Sequence, residues 1–192
     1  MKQLYNPFEL YSERQLLIFG LVLTLIGSFL GYLFNGRFDG IIDFHLLESV
    51  IFLEVVLDNF FNAVLLTMLL FINGKIINSK TRFVDVLNAS LLARIPFYIL
   101  PFFNFNNVMY DVSNRTYDIM VAGSFNAIST PDIILLMLFS FVAICTLIWF
   151  SLLLWNGFKV ATNAKGIKNI ILFIFTILVA EVVSKYIITT FN

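Results

Sequence analysis

The chain has 192 residues, 60% of them hydrophobic and 12% charged, and its mean hydropathy is +0.93. A soluble globular protein of this composition would lack polar surface to cover its core, so we exclude that class and predict a single-domain integral membrane protein. With a formal net charge of 0, we expect the lipid bilayer as its main partner and no nucleic acid.

Five apolar stretches reach the length of about 20 residues that a membrane-spanning helix needs. We interpret them as helices because apolar and polar residues do not alternate along them, and because a chain in lipid must satisfy its own backbone hydrogen bonds. The predicted spans are 16–34, 50–72, 84–103, 133–154 and 169–188. Residues 1–13 are predicted to form an interfacial lead-in, and residues 14–192 the five-helix transmembrane domain. No small-x-small cleavage site follows the first span, so we expect it to be retained.

The distribution of basic residues predicts the orientation, because cytoplasmic loops carry an excess of Lys and Arg. With Met1 in the cytoplasm and Asn192 outside, the cytoplasmic segments contain Lys2, Arg14, Lys75, Lys80, Arg82, Lys159, Lys165 and Lys168. The outer segments then contain Arg37, Arg115 and Lys185. We therefore predict an all-α, multi-pass protein with a cytoplasmic N-terminus and an outer C-terminus. The expected location is the bacterial cytoplasmic (inner) membrane, or the Golgi or endoplasmic-reticulum membrane if the source is eukaryotic.

The first span has a face of small residues, which allows another backbone to approach closely. The face consists of Gly20, Thr24, Gly27, Ser28 and Gly31. It is predicted to pack inside the bundle; the alternative is a contact with a second copy or with another membrane protein. The basic loops 73–83 and 159–168 are suited to anionic lipid head groups, or they serve only as topology signals.

The first outer loop contains Asp43, His45 and Glu48, which are residue types that bind divalent cations. Neither a second His nor a Cys supports a metal site there, so we expect a solvated acidic loop with no metal and no cofactor. The single cysteine, Cys145, falls inside the fourth span and is expected to be a small packing residue.

The second and third spans contain an intramembrane polar seam. Glu54, Asp58 and Asn62 follow one another at i, i+4 and i+8, so they share one face of the second helix. Charged groups at such depth are costly and usually find partners inside a bundle. With a rise of 1.5 Å per residue, Asn62 and Arg94 both lie ~15 Å from the inner ends of their helices. The sequence therefore predicts an Asp58–Arg94 ion pair steadied by Asn62.

Two interpretations of the seam remain open, a contact that pins two helices together and a polar cavity or ion path. Pro96 and Pro101 favour an irregular third helix, because proline removes a backbone donor. In the fifth span, Glu181 and Lys185 are spaced i, i+4, which predicts a structural pair within the helix.

The chain lacks the motifs of common enzyme sites. It has no glycine-rich phosphate loop, no G-x-S-x-G elbow, and too few His and Cys residues for a conventional zinc site. We therefore predict no catalytic residues and no enzymatic activity.

Several features together resemble the Yip1 family. They are Asn6-Pro7-Phe8 before the first span, prolines in the third span, and a predicted turn at Trp155-Asn156-Gly157-Phe158-Lys159 that leads to Asn163-Ala164-Lys165-Gly166. The resemblance covers most of the chain and implies a five-span fold without catalytic residues. Eukaryotic members act in vesicle traffic with Rab GTPases, but the lead-in here is short, so Rab binding is not expected. The resemblance implies a membrane scaffold or trafficking-type factor; the alternative is a small transporter or channel that uses the seam.

Overall fold

The computed structural model describes residues 2–124 and 127–191, so the termini Met1 and Asn192 named in the orientation prediction lie outside the described residues. The helices are α1 (Lys2–Tyr5), α2 (Glu13–Leu33), α3 (Phe52–Ile77), α4 (Phe83–Ala93), α5 (Val108–Val121), α6 (Thr130–Thr162) and α7 (Ile167–Phe191). Two 3-10 segments cover Pro7–Glu9 and Ile95–Asn107. The strands β1 (Gly36–Arg37) and β2 (His45–Leu46) pair antiparallel, with Gly36 opposite Leu46.

Within the described residues, five helical stretches are long and apolar enough to cross a membrane, which confirms that part of the prediction. They are α2, α3, the stretch Phe83–Val121, α6 and α7. The α3 helix ends five residues past the predicted limit at residue 72, and α6 ends eight residues past the predicted limit at residue 154. The limits were predicted from the most apolar stretches, and both helices continue beyond them.

The α2 helix begins directly after the lead-in. Ser12 is its N-cap and forms a capping box with Gln15, whose side chain accepts a hydrogen bond from the Ser12 N–H at 3.0 Å. Such a box satisfies amide groups that the first helical turn leaves without partners. The cap therefore fixes the start of α2 at Glu13.

The third predicted span is an α-helix only as far as Ala93. From Ile95 the chain continues as a 3-10 segment that contains Pro96 and Pro101, neither of which can donate a backbone hydrogen bond. Asn106 and Asn107 then adopt left-handed conformations, with φ of 53° and 59°, before α5 begins. The expected irregularity therefore starts at Arg94, the residue that joins the two helix types.

The turn predicted at Trp155–Lys159 is wrong, because these residues are helical within α6. A Cβ built on Gly157 would lie 2.5 Å from the Ala89 Cβ, so this glycine permits close packing against α4 and does not bend the chain. The helix ends at Asn163, whose φ of 56° is left-handed and whose N–H donates to the Lys159 carbonyl.

The spans differ in how deeply they lie in the bundle. In the most apolar window of each, 72% of residues are buried in Phe83–Val121, but only 17% in α7 and 11% in α6. The third span is therefore central, and α6 and α7 present most of their apolar surface outward. Cys145 is exposed on α6, so the expectation that it is a small packing residue is wrong.

The two ends of the bundle differ in charge. We call one the acidic end; it includes the α2–α3 connection with Asp39, Asp43 and Glu48. The other, the basic end, includes the α3–α4 and α6–α7 connections with Lys75, Lys80, Arg82, Lys165 and Lys168.

Candidate functional site

The connection between α2 and α3 folds back into the bundle at the acidic end. We call residues 36–46, which comprise β1, β2 and the residues between them, the 36–46 hairpin. Phe38 and Ile41 at its centre are 1% and 0% exposed. The Phe38 ring packs edge-on to Tyr98 from the third span, with ring centroids 5.4 Å apart. The hairpin is therefore part of the core, and its backbone carbonyls need partners there.

Arg94 supplies two of these partners. Its side chain is among the largest fully buried ones and is 1% exposed. The Nη1 group donates to the carbonyls of Gly40 at 3.2 Å and Ile41 at 2.6 Å. The Nη2 group donates to Asn59 Oδ1 at 3.1 Å, and the Nε group has no hydrogen-bond partner among the described residues. Arg94 thus holds the 36–46 hairpin against α3.

Asp58 binds a different arginine from the one predicted. The Arg37 Nε group lies 2.5 Å from Asp58 Oδ2, and Arg37 Nη1 lies 3.5 Å from Glu54 Oε2. The hydrogen bond that Arg37 donates to Asp58 raises the pKa of Arg37 above its usual range. The predicted Asp58–Arg94 ion pair is wrong, because the 36–46 hairpin inserts Arg37 beside Asp58. Counting depth along two helices does not reveal the path of the loop between them.

Asn62 also binds the hairpin. Its Nδ2 group donates to the Phe38 carbonyl at 2.7 Å, and its Oδ1 accepts a hydrogen bond from Ser184 of α7. Asn59, which sequence reasoning missed, donates to Ser28 of α2 at 3.0 Å. The sequence does contain a signal for Asn59, because this residue, like Asn62, is a polar amide in an otherwise apolar helix and lies next to Asp58. The structure thus brings Glu54, Asp58, Asn62 and Arg94 to one cluster, joined through the hairpin.

The end of α7 closes the other side of the hairpin. Glu181 Oε2 accepts a hydrogen bond from the Ile42 N–H at 2.9 Å, and Lys185 forms an ion pair with Asp43. The pair predicted between Glu181 and Lys185 is replaced by these contacts, because the hairpin lies within reach of both side chains. Burial opposes ionisation of Asp43, but the hydrogen bond from Lys185 and the charge of His45 outweigh it, and the pKa of Asp43 lies below its usual range.

Asp39, Asp43 and His45 form a group of three metal-ligand types whose ligand atoms lie within 4.8 Å of one another. Asp39 replaces Glu48 of the set considered from sequence. These atoms already have protein partners, since His45 Nδ1 lies 2.8 Å from Asp39 Oδ1 and Lys185 binds Asp43. The hydrogen bond to Asp39 raises the pKa of His45. The group accordingly serves as an ion-pair network at the hairpin tip.

The small-residue face of α2 lies against other parts of the same chain. A Cβ on Gly20 would meet the Leu91 Cβ at 2.8 Å, one on Gly27 would meet the Tyr98 ring at 2.3 Å, and one on Gly31 would meet the Gly36 carbonyl oxygen at 2.8 Å. Thr24 donates to the Gly20 carbonyl at 2.8 Å. The structure therefore places this face inside the bundle, where it makes room for the third span and the hairpin.

The cluster as a whole holds a loop in place. Side chains from α3, α7 and the third span bind the backbone of the 36–46 hairpin at Phe38, Gly40, Ile41 and Ile42. Comparisons of the chain with protein-family models, with curated proteins and with solved structures found no match. The contacts of the cluster are therefore the basis on which we infer a function.

Proposed function

We propose that the protein is a non-enzymatic scaffold embedded in a lipid bilayer, with a membrane-organising or trafficking-type role like that of the Yip1 family it resembles. One observation carries this proposal. The intramembrane polar residues that could form a path, Asp58, Asn62 and Arg94, are engaged by the 36–46 hairpin.

A transport path makes different demands on these residues. Water must reach the acid, and the acid must change its proton or its partner during a cycle. The Asp58 side chain is 7% exposed and binds Arg37, which is 12% exposed. Moving either one away would leave a buried charge without its partner, which is strongly unfavourable. These contacts favour a static cluster whose role is to shape the acidic end of the bundle.

A small transporter is the second candidate, and one observation favours it. The Glu54 side chain is 37% exposed and lies 3.5 Å from Arg37, which also binds Asp58. These residues connect the surface to the buried acid. A carrier would use Glu54 as the entry and Asp58 as the inner site.

The proposal includes an orientation and a membrane. The basic end faces the cytoplasm, where Lys75, Lys80, Lys165 and Lys168 bind anionic lipid head groups. The acidic end with the hairpin faces outward. The outward-facing surfaces of α6 and α7 contact lipid and membrane-protein partners, and the membrane is the bacterial cytoplasmic membrane or, in a eukaryote, the Golgi or endoplasmic-reticulum membrane.

Proton and ion flux in proteoliposomes separates the two candidates. We expect wild-type protein to show no flux above empty liposomes from about pH 5 to 8, the range in which perturbed groups commonly switch. Asp58→Asn tests the buried acid, and Asp118→Asn, at an exposed residue of α5, is a matched control. A wild-type flux that vanishes in Asp58→Asn and persists in Asp118→Asn would overturn the scaffold proposal.

Photo-crosslinking tests the scaffold proposal directly, because a scaffold should have a membrane-protein partner. A crosslinker at Phe141, which is 65% exposed on α6, should capture a discrete membrane-protein partner in the native membrane. The same crosslinker at Phe150, which is 1% exposed, should capture none. Adducts with lipid alone at Phe141 would count against a scaffold that acts through this face.

A further inference from the structure

A second polar site lies at the opposite end of the molecule, where the lead-in packs between α2, α4 and α6. It is a cavity of about 150 Å³. Its charged and amide side chains are Glu13, Asp85 and Asn88, and the remaining lining comprises Tyr11 with its hydroxyl, Phe8, Leu16, Gly157, Val160 and Ala161. None of these residues takes part in the cluster at the acidic end.

Asn88 indicates what this cavity binds. The residue is 2% exposed, and its Nδ2 group donates to the Glu13 carbonyl at 3.1 Å. Its Oδ1 atom, in contrast, is buried without a hydrogen-bond partner. Buried amide oxygens nearly always accept a hydrogen bond. Because the two charged side chains are carboxylates, all three offer acceptors, and the matching ligand group is a positively charged donor.

A positive side chain lies beside these acceptors. Arg82 Nη2 lies 2.5 Å from Glu13 Oε2, and the Arg82 side chain is 60% exposed. Asp85, one helical turn before Asn88 on α4, lines the same cavity and supplies a second carboxylate. The site therefore presents acceptors inside the cavity and a cation at its edge, which matches a zwitterion with an inner ammonium and an outer phosphate.

An apolar cavity of about 230 Å³ adjoins the polar one, and Tyr11 and Leu16 line both. Its other lining residues are Leu4, Pro7, Phe19, Leu92, Ile95, Trp149 and Leu153. The Trp149 Nε1 group donates to the Leu4 carbonyl at 2.7 Å and so attaches the lead-in to α6. Each cavity is smaller than the ~300–1,000 Å³ of a typical small-molecule site, so each suits one part of a larger amphiphile.

We propose that the two cavities together bind one phospholipid with a primary ammonium head group, such as phosphatidylethanolamine. The ammonium donates to Asn88 Oδ1 and Asp85, the phosphate lies beside Arg82, and part of an acyl chain occupies the apolar cavity. A choline head group cannot donate to Asn88, because its nitrogen carries only methyl groups. An anionic glycerol head group supplies no cation for Asp85, since Arg82 already pairs with Glu13.

Quenching of Trp149 fluorescence by brominated acyl chains tests this proposal. The chain has two tryptophans, so Trp155→Phe leaves Trp149, which lines the apolar cavity, as the reporter. The protein is reconstituted in phosphatidylcholine nanodiscs with increasing fractions of brominated phosphatidylethanolamine, phosphatidylcholine or phosphatidylglycerol. We expect a roughly tenfold preference for the ethanolamine lipid, equivalent to about 1.4 kcal/mol.

Two variants in the same background test the head-group contacts. Asp85→Asn and Glu13→Gln should each abolish most of the preference while quenching by the choline lipid is unchanged, which also shows that the variant is folded. Asp118→Asn removes the same charge at the other end of the molecule and should keep the preference. The proposal is overturned if the ethanolamine and choline lipids quench equally, because water alone then fills the polar cavity. It is also overturned by stronger quenching by the glycerol lipid, or by a preference that survives both variants.

Discussion

Arg37 and Asp58 form the ion pair that joins the 36–46 hairpin to α3, with Arg37 Nε 2.5 Å from Asp58 Oδ2. A loop arginine thus neutralises an acid inside a membrane-spanning helix. The arginine of the third span, Arg94, binds hairpin carbonyls instead. The two arginines therefore have different roles, which substitution can separate.

Arg37→Ala should lower the free energy of unfolding by ~3–5 kcal/mol, because it leaves Asp58 buried without its cation. Combining Arg37→Gln with Asp58→Asn should recover much of this loss, since neither residue is then charged. Thermal unfolding in detergent measures both effects. Arg82→Ala is the control: its pair with Glu13 joins side chains that are 60% and 41% exposed, so its loss should cost ~0–1 kcal/mol. An unchanged melting curve for Arg37→Ala would mean that Asp58 is hydrated.

Arg94→Met should release the hairpin while leaving the helices formed. The Gly40 and Ile41 carbonyls lose their donor, so the local opening of residues 36–46 becomes easier. Hydrogen exchange followed by mass spectrometry should show faster exchange in that peptide and unchanged exchange in residues 73–83. Arg82→Met, at the basic end, should leave hairpin exchange unaltered. Equal protection of the hairpin in Arg94→Met and wild type would contradict the role assigned to Arg94.

Gly27→Ala should destabilise the fold by ~1–3 kcal/mol, as overpacking usually does. The added Cβ would lie 2.3 Å from the Tyr98 ring, so the third span must move. Val22→Ile also adds one carbon, but on a residue that is 48% exposed, and should be neutral. Detergent melting measures stability, and light scattering measures the oligomeric state, which should not change. Loss of a dimer in Gly27→Ala would support the alternative that this face pairs two copies.

His45 should titrate above the ordinary histidine pKa of about 6.5, because Asp39 stabilises the protonated ring. Because the pKa of His45 is higher in the folded state, the His45–Asp39 pair contributes its full stabilisation below about pH 6.5. This stabilisation is lost as the pH rises through the raised pKa of His45. His45 is the single histidine, so NMR can follow its ring without assignment. Asp39→Asn should lower the midpoint and Glu48→Gln should leave it unchanged. A wild-type midpoint at or below 6.5 would show that the Asp39 contact is absent.

The proposed orientation predicts which loops a membrane-impermeant thiol reagent can reach. In a Cys145→Ala background, Asp118→Cys should be labelled in intact cells, and Lys80→Cys only after the membrane is permeabilised. Reversed labelling would show that the basic end faces outward, and labelling of both from outside would contradict five spans.

Much of the architecture was determined by the sequence alone. The five apolar stretches predict five spanning helices because hydropathy over about 20 residues is a local property of the chain. The buried positions of Gly20, Gly27 and Gly31 follow from their shared helical face, and the importance of Asp58 and Arg94 follows from the cost of charges in an apolar segment.

The partners of those charges were decided only by the tertiary structure. Asp58 binds Arg37, Lys185 binds Asp43, and Arg94 binds carbonyls, because the 36–46 hairpin enters the bundle between them. Apolar residues such as Phe38, Ile41 and Ile42 favour burial of this segment, but they do not indicate which charges it meets, since a connection between two spans usually lies at the surface. Likewise, Gly157 lies within α6 instead of ending it, and its lack of a side chain serves the close packing against Ala89. Periodicity and hydropathy are properties of neighbouring residues, whereas a choice among several ion-pair partners depends on where distant segments meet.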